Sequence, residues 1–382
     1  MFVRLTEFLR AYRFPLGLFV ALRVWTMAWA SFTVQVLPTA PAAADFYYGM
    51  TPLRDFIVAP WQRWDTLWYT KIAVAGYAAD ASSHFPPFYP LLIRLVMPLT
   101  ANNAVAAGLV VSSMAALTAF ILLYRLAREM FADDAARRTL LFLAAFPTAF
   151  FLFAAYTEAV LLALALGAFL CARRKQWLWA GVLGACAAMT RPQGMLFVFP
   201  LAVEFWDQWR RGEVALARSW TLLPVLLGGI AHIAWLAFQF GNLSAWFQSE
   251  AIMHRIAPPW QALAAGWGAV MQASSVWAAA LSLLDPLSIV LLLAAMLWSA
   301  RRLPLSMTTY LGIIVAPSLF VITTYSDAYP LTSVSRFVVL AFPLFLLLGT
   351  LAPRGWQGLV LAVSFLLQTL LLVLFAAWVF VR

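Results

Sequence analysis

AVAAGLVVSSMAALTAFILLY, residues 104–124, carries no charged side chain, and Arg125, Arg128, Arg137 and Arg138 follow it directly. An apolar run of about 20 residues spans the hydrocarbon core of a bilayer as a helix. Arginines massed just beyond such a run mark its cytoplasmic end. Working outward, runs of the same kind recur at 219–240 and 357–380. Of the 382 residues, 64% are hydrophobic and 10% charged, whereas soluble domains carry about 25% charged residues. The fold class is therefore an all-α polytopic membrane protein, read as a single membrane-embedded domain over 1–382.

The net charge of +10 is set by topology. Most of the 25 Lys and Arg sit in short connections, among them Arg173, Arg174 and Lys175, Arg210, Arg211 and Arg218, and Arg301 with Arg302. That is the positive-inside pattern, and it excludes a nucleic-acid partner as the reason for the charge. Cys171 and Cys186 fall at or within apolar spans and suggest neither a disulfide nor a metal site. The run from Phe14 to Leu37 follows Arg4, Arg10 and Arg13. It is longer than the core of a cleaved secretory signal, which is the competing reading, and contains Arg23, so it is taken as a retained first span.

With basic connections inside, spans are expected near 14–37, 104–124, 138–155, 157–172, 176–190, 194–209, 219–240, 275–300, 304–324, 336–352 and 357–380. Residues 38–99 form a long first outer loop with interfacial helices. PPFYPLLIRLVMPL, residues 86–99, is too short to cross and is read as re-entrant or interfacial. This is a bundle of about eleven transmembrane helices in a multi-pass cell-membrane protein of a bacterial or archaeal kind, with its working face outside.

The loop contains WQRWDTLWYTKIAVAGY, residues 61–77. Leu67, Trp68, Ile72 and Ala75 recur at helical spacing, predicting an amphipathic interfacial helix with tryptophans at headgroup depth. Asp65 stands at its start, where helix N–H groups favour an anion. From these residues alone, Asp65 is either a cap or a base that takes a proton from an acceptor hydroxyl.

Arg63-Trp64-Asp65, Trp68-Tyr69, Ile72-Ala73, Gly76-Tyr77, Phe85, Pro87 and Tyr89-Pro90 resemble the signature of the PIG-V family. Phe146-Pro147, Phe150 and Tyr156-Thr157-Glu158-Ala159 resemble its next block, and Thr190-Arg191, Gln193 and Gly194 a third. Ser335-Arg336-Phe337 with Phe342-Pro343 is a weaker fourth. The likeness covers about 60–200. Those proteins are the second mannosyltransferases of glycosylphosphatidylinositol-anchor assembly, with prokaryotic relatives, in the GT-C superfamily.

The resemblance implies a GT-C-like bundle that uses a polyprenyl-phosphate hexose, mannose by that likeness. The acceptor is a glycan, glycolipid or protein, membrane lipids surround the chain, and Asp65 is the general base. Where the family reads Ala-Phe-Phe-Pro, this chain has His84-Phe85-Pro86-Pro87. His84 is either a substrate contact or a local peculiarity.

Arg63, Trp64, His84, Glu158, Arg191, Gln193 and Arg336 are the candidate substrate-binding residues. Glu158 reads equally as a helix cap, an acceptor-orienting carboxylate or a partner of Arg191. Arg191 and Arg336 are arginines on the sparsely basic outer side, suited either to a departing phosphate or to a lipid headgroup contact or structural ion pair. Arg336 follows the polar stretch Tyr325-Ser326-Asp327. Asp55 and Asp80 are alternative bases, or companions of Asp65 around a divalent ion. Without a tight motif no metal is predicted, and no cofactor beyond the lipid-linked donor. Asp285-Pro286 reads as a kink rather than a proton relay, Arg23 as snorkelling or paired inside the bundle, and His232 as packing. The competing class is a transporter or flippase, whose polar residues gather at the bilayer midplane rather than in loops.

Overall fold

The computed structural model describes residues 2–37, 55–78, 80–324, 330–331, 333–352 and 355–381. Part of the expected outer loop (38–54), Tyr325-Ser326-Asp327 and Arg354 lie outside the described residues. In chain order the helices begin α1 (Phe2–Ala11), α2 (Arg13–Val36), α3 (Asp65–Ala75), α4 (Phe88–Val96), α5 (Ala104–Met130) and α6 (Asp133–Ala145). They continue α7 (Glu158–Arg173), α8 (Trp177–Ala188), α9 (Val198–Arg210), α10 (Leu223–Phe240), α11 (Ala245–Met253) and α12 (Pro259–Met271). The last are α13 (Val276–Ser299), α14 (Leu305–Phe320), α15 (Val334–Phe337), α16 (Phe342–Thr350) and α17 (Gly355–Ala376). Two short strands, β1 (His254–Ile256) and β2 (Val321–Thr323), pair antiparallel with His254 opposite Thr323.

Among the described residues, five helical segments are long and apolar enough to cross a bilayer: Arg13–Val36, Ala104–Met130, Leu216–Phe240, Val276–Ser299 and Gly355–Ala376. They carry large apolar side chains on their outer faces, such as Val24, Phe238 and Leu297, the surface that hydrocarbon requires. The chain is a multi-pass membrane protein.

These five helices do not by themselves confirm the expected set of about eleven spans. The other six fall on α6, α7, α8, α9, α14 and α16, of 13, 16, 12, 13, 16 and 9 residues. At about 1.5 Å per residue these reach roughly 14–24 Å, less than the hydrocarbon thickness. Proline explains several of the breaks. Pro147 follows α6, Pro192 opens a 3-10 turn before α9, and Pro317 lies in the last turn of α14 before the chain turns extended. Segment 86–99 contains only the nine-residue α4 and a 3-10 turn, Met97–Thr100. Leu91, Leu95 and Leu99 are exposed along it.

Contacts group the chain into two compact units, Met1–Thr70 with Ile93–Leu166 and Phe345–Phe380, and Lys71–Leu92 with Gly167–Leu344 and Val381–Arg382. In the first, α2, α5, α6 and α17 pack around Phe120, Leu123, Phe150 and Phe375, all wholly buried. Two polar side chains inside reach backbone carbonyls distant on the chain. Gln368 Nε2 donates to the Ala144 and Phe146 carbonyls at 2.9 and 2.8 Å, closing the open end of α6. Arg23 donates to the Phe153 carbonyl at 3.0 Å and lies 5.6 Å from the Trp61 ring, so it is paired within the bundle as expected.

In the second unit, α8 and α10 approach closely through glycines. A Cβ at Gly181 would strike the Thr221 carbonyl, and one at Gly228 the Ala185 carbonyl. Beside them, Ser306 Oγ donates to Glu204 at 2.6 Å, Gln208 to Glu204 at 3.2 Å, and Trp177 to Gln208 at 3.2 Å. That network satisfies a carboxylate inside an apolar bundle.

Backbone cannot yield as a side chain does. Gly181→Ala should therefore lower the thermal unfolding midpoint by an amount corresponding to about 1–3 kcal/mol of overpacking. Gly268→Ala, where nothing lies within 4 Å of the new carbon, should leave it unchanged or raise it. Differential scanning fluorimetry of the detergent-purified variants compares them.

Candidate active site

Asp65 is the first residue of α3 and is half-buried. Two features of the preceding residues fix it there. Trp64 adopts a left-handed backbone with φ +48°, a conformation a bulky residue takes only when its surroundings impose it. Its ring packs at 5.6 Å from Trp378 and 5.0 Å from Phe380, edge to face.

Arg63 is wholly buried. Its Nη2 and Nε donate to the carbonyl of Ala376 at 2.6 and 3.2 Å, and its Nη1 donates to Ala59 and Gln62 carbonyls at 2.7 and 3.1 Å. The guanidinium also lies 4.4 Å from the Trp378 ring centre. Ala376 ends α17, so the cation meets the negative end of a helix as well as an otherwise open carbonyl. Arg63 thus clamps the loop to α17.

The second motif block closes on the first within the same unit. Thr66 Oγ1 donates to the Ala155 carbonyl at 3.4 Å, the Tyr69 and Thr157 hydroxyls stand 3.4 Å apart, and Tyr156 Oη donates to the Arg63 carbonyl at 3.3 Å. Tyr156 also stacks on Phe151 at 5.3 Å, and both rings meet Phe375. Residues 63–70 and 155–158, separate on the chain, form one hydrogen-bonded patch. Glu158 begins α7 there, wholly buried rather than standing at a loop tip.

Helix α3 buries Thr66, Tyr69, Thr70, Ile72 and Ala73 while Lys71, Val74 and Ala75 are exposed. Its buried face thus mixes apolar side chains with hydroxyls that have partners. Thr70 Oγ1, for instance, donates to the Thr66 carbonyl at 2.7 Å.

In the second unit, Arg191 and Arg336 converge on one ring, their guanidinium carbons 4.2 and 5.1 Å from the centre of Phe337. Arg336 is buried in α15. The Ser335 N–H donates to Asp285 Oδ1 at 2.9 Å, so Asp285 anchors the segment carrying Arg336, and α13 runs on through Pro286. Gln193 lies in the 3-10 turn Pro192–Phe197, and its buried Oε1 meets no hydrogen-bond donor among the described residues.

Asp80 caps the turn Ala81–His84 by accepting from the Ser82 N–H at 2.8 Å, and it pairs with Lys71 at 2.7 Å. Burial raises its pKa, but the bonds from Lys71 and Ser82 outweigh that and hold the carboxyl below its usual range. Asp80 is thereby occupied as a cap, which weakens it as a substitute base.

His84 Nδ1 lies 2.6 Å from Glu250 Oε1, and His254 Nδ1 lies 3.5 Å from Oε2. Burial opposes the charge on Glu250, yet the hydrogen bonds and charges of His254 and His84 hold its carboxyl down at about 2. Sequence reading gave neither Glu250 nor His254 a role. Their spacing of four, with a histidine in so histidine-poor a chain, was the available signal. His232 is buried, its Nε2 3.2 Å from the Ser83 carbonyl.

A family model described as dolichyl-phosphate-mannose-protein mannosyltransferase matches residues 84–238. The crystal structure of ArnT from Cupriavidus metallidurans bound to undecaprenyl phosphate is similar, with a TM-score of 0.52 at 14% identity, over 91% of this chain and 62% of that one. The Archaeoglobus fulgidus oligosaccharyltransferase, tethered to an acceptor peptide, gives a TM-score of 0.48 at 14% identity, over 98% and 56%. No curated protein sequence matches the chain. The chain shares its fold with ArnT and spans about 62% of that protein's length.

Arg63→Met keeps bulk but strands the Ala376 and Ala59 carbonyls, at about 1–3 kcal/mol each. It should lower the thermal midpoint markedly, and limited proteolysis should cut sooner within 55–64. An unchanged cleavage pattern would show that the clamp is dispensable.

Proposed function

We propose that this chain is a glycosyltransferase that moves a hexose from a polyprenyl-phosphate carrier to an acceptor hydroxyl, with inversion, at the outer membrane face. The observation that carries the reading is Asp65: a carboxylate on the first turn of a helix, aimed by a strained tryptophan and a buried arginine, in a chain that shares its fold with ArnT. The ArnT structure of similar fold holds undecaprenyl phosphate, and the matching family model is that of proteins using dolichyl-phosphate mannose. These support a lipid-phosphate donor. Mannose as the sugar rests on that model and on the PIG-V-like motifs.

In this mechanism Asp65 takes the proton of the acceptor hydroxyl as its oxygen attacks the anomeric carbon. The bond from that carbon to the phosphate oxygen breaks, and the polyprenyl phosphate leaves with the electron pair. A carboxylate held at a helix start by neighbours that cannot rotate needs no reorganisation during proton transfer. Arg191 and Arg336, gathered on Phe337, are suited to the charge growing on a departing phosphate, since guanidinium binds its oxygens in pairs. Gln193 offers an unsatisfied carbonyl oxygen to a sugar hydroxyl. Trp64 and Arg63 act on position, through the backbone of Asp65. Glu158, buried against the same patch, is a candidate to orient the acceptor.

Asp65→Asn should reduce transfer from radiolabelled polyprenyl-phosphate mannose by about 10²–10⁴-fold with the fold intact. Retained activity would remove Asp65 as the base. Arg336→Lys keeps the charge but loses the paired geometry, and should lower kcat by about 10²–10³-fold with a smaller change in KM. A cysteine at position 65, labelled by a membrane-impermeant maleimide in intact cells, should react from outside. Labelling only after lysis would refute the outward placement.

A further inference from the structure

Two of the chain's three histidines meet a glutamate at a place the transferase reading does not use. The candidate ligating atoms of His84, Glu250 and His254 all lie within 4.8 Å of one another. The imidazole centres of His84 and His254 are 4.9 Å apart, and the Glu250 carboxylate offers one oxygen to each ring. The three side chains are neither fully exposed nor sealed, so an ion could enter while keeping a solvent ligand.

Each residue stands on backbone that is fixed independently of the cluster. His84 ends a 3-10 turn capped by Asp80, and His232 Nε2 lies 3.2 Å from the Ser83 carbonyl beside it. Glu250 lies on α11, whose last turn is tied by Thr324: its Oγ1 donates to the Ile252 carbonyl at 2.6 Å and its N–H to the Met253 carbonyl at 3.0 Å. His254 lies in β1, held opposite Thr323. Ligands preset on separate elements lose little entropy when an ion arrives.

Two imidazole nitrogens and one carboxylate are the donor set of a three-ligand zinc centre that leaves the fourth position to water. Calcium and magnesium call instead for mostly oxygen donors. We propose that His84, Glu250 and His254 form a binding site for a zinc-type divalent transition-metal ion. On binding, the hydrogen bond between His84 and Glu250 gives way to two metal–ligand bonds, and any proton on a ligating nitrogen is released to solvent. Donor atoms around a tetrahedral zinc stand roughly 3.4 Å apart. The widest separation, up to 4.8 Å, therefore closes by about 1.4 Å, while the 2.6 Å contact between His84 and Glu250 opens. The ion would tie the turn before α4 to the segment between α10 and α12, independently of whether the chain transfers sugar.

The test uses the full chain, purified in detergent and dialysed against a chelator. Titration with zinc, followed by elemental mass spectrometry after desalting, should give one tightly held ion per chain and a raised thermal midpoint. Glu250→Gln and His254→Ala should each weaken binding at least tenfold and abolish the thermal shift. Magnesium at the same concentration should produce neither effect.

Cobalt loaded into the wild-type chain reads the site without relying on any variant's folding. It should give the strong visible absorption of a four-coordinate centre. A wild type that binds no more zinc than a His84→Ala/His254→Ala chain would overturn the proposal. So would cobalt giving only the weak bands of a six-coordinate ion, and the three residues would then be a hydrogen-bonded cluster alone.

Discussion

The buried guanidinium of Arg63 against the last carbonyl of α17 is the contact on which the candidate site depends. A charge enclosed in a membrane protein is costly unless its donors are met, and here the donors meet the carbonyls of Ala376, Ala59 and Gln62. The arrangement solves two problems together. It gives the open end of a long helix a cation, and it holds the chain tightly enough for Trp64 to occupy a backbone region it would otherwise leave. Asp65 follows from both, since its position is the next one along. The neighbouring block joins by hydroxyl-to-carbonyl bonds, so the patch around the carboxylate is rigid through polar contacts rather than through apolar packing alone.

The second unit follows a similar rule with other parts. Asp285 fixes the backbone at Ser335, Phe337 receives two arginines, and Glu204 is satisfied by Ser306 and Gln208. These charged groups within an apolar bundle are partnered to backbone, bonded to polar side chains or stacked on rings. That placement separates residues that support the architecture, such as Asp285 and Glu204, from those whose chemistry suits a ligand, such as Gln193.

Much of this was legible in the sequence where the signal is long or local. The apolar runs at 104–124, 219–240 and 357–380 became long helices, and Asp65 stands at the start of the helix expected there. Composition could not reveal that the remaining hydrophobic stretches break into short pieces, because hydropathy is blind to where proline and 3-10 turns interrupt the ladder. The inner face of α3 was not legible, because threonine and tyrosine hydroxyls pack inward only where partners such as the Ala155 carbonyl wait for them. Glu158 gave no sign of its burial, and the meeting of Arg191 with Arg336 joins positions far apart on the chain. The association of His84 with Glu250 bridges 166 positions and has no local signature at all.

The separation between Arg63 and its partner at Ala376, 313 positions along the chain, bears on the order of biosynthesis. A ribosome must add those positions before the carbonyl that holds the segment at Arg63 exists. During insertion Arg63 waits in water or at the headgroups, and the carboxylate beside it waits unaligned. The clamp therefore forms late: a nascent chain that has not reached Ala376 has no carbonyl with which to set that residue in place.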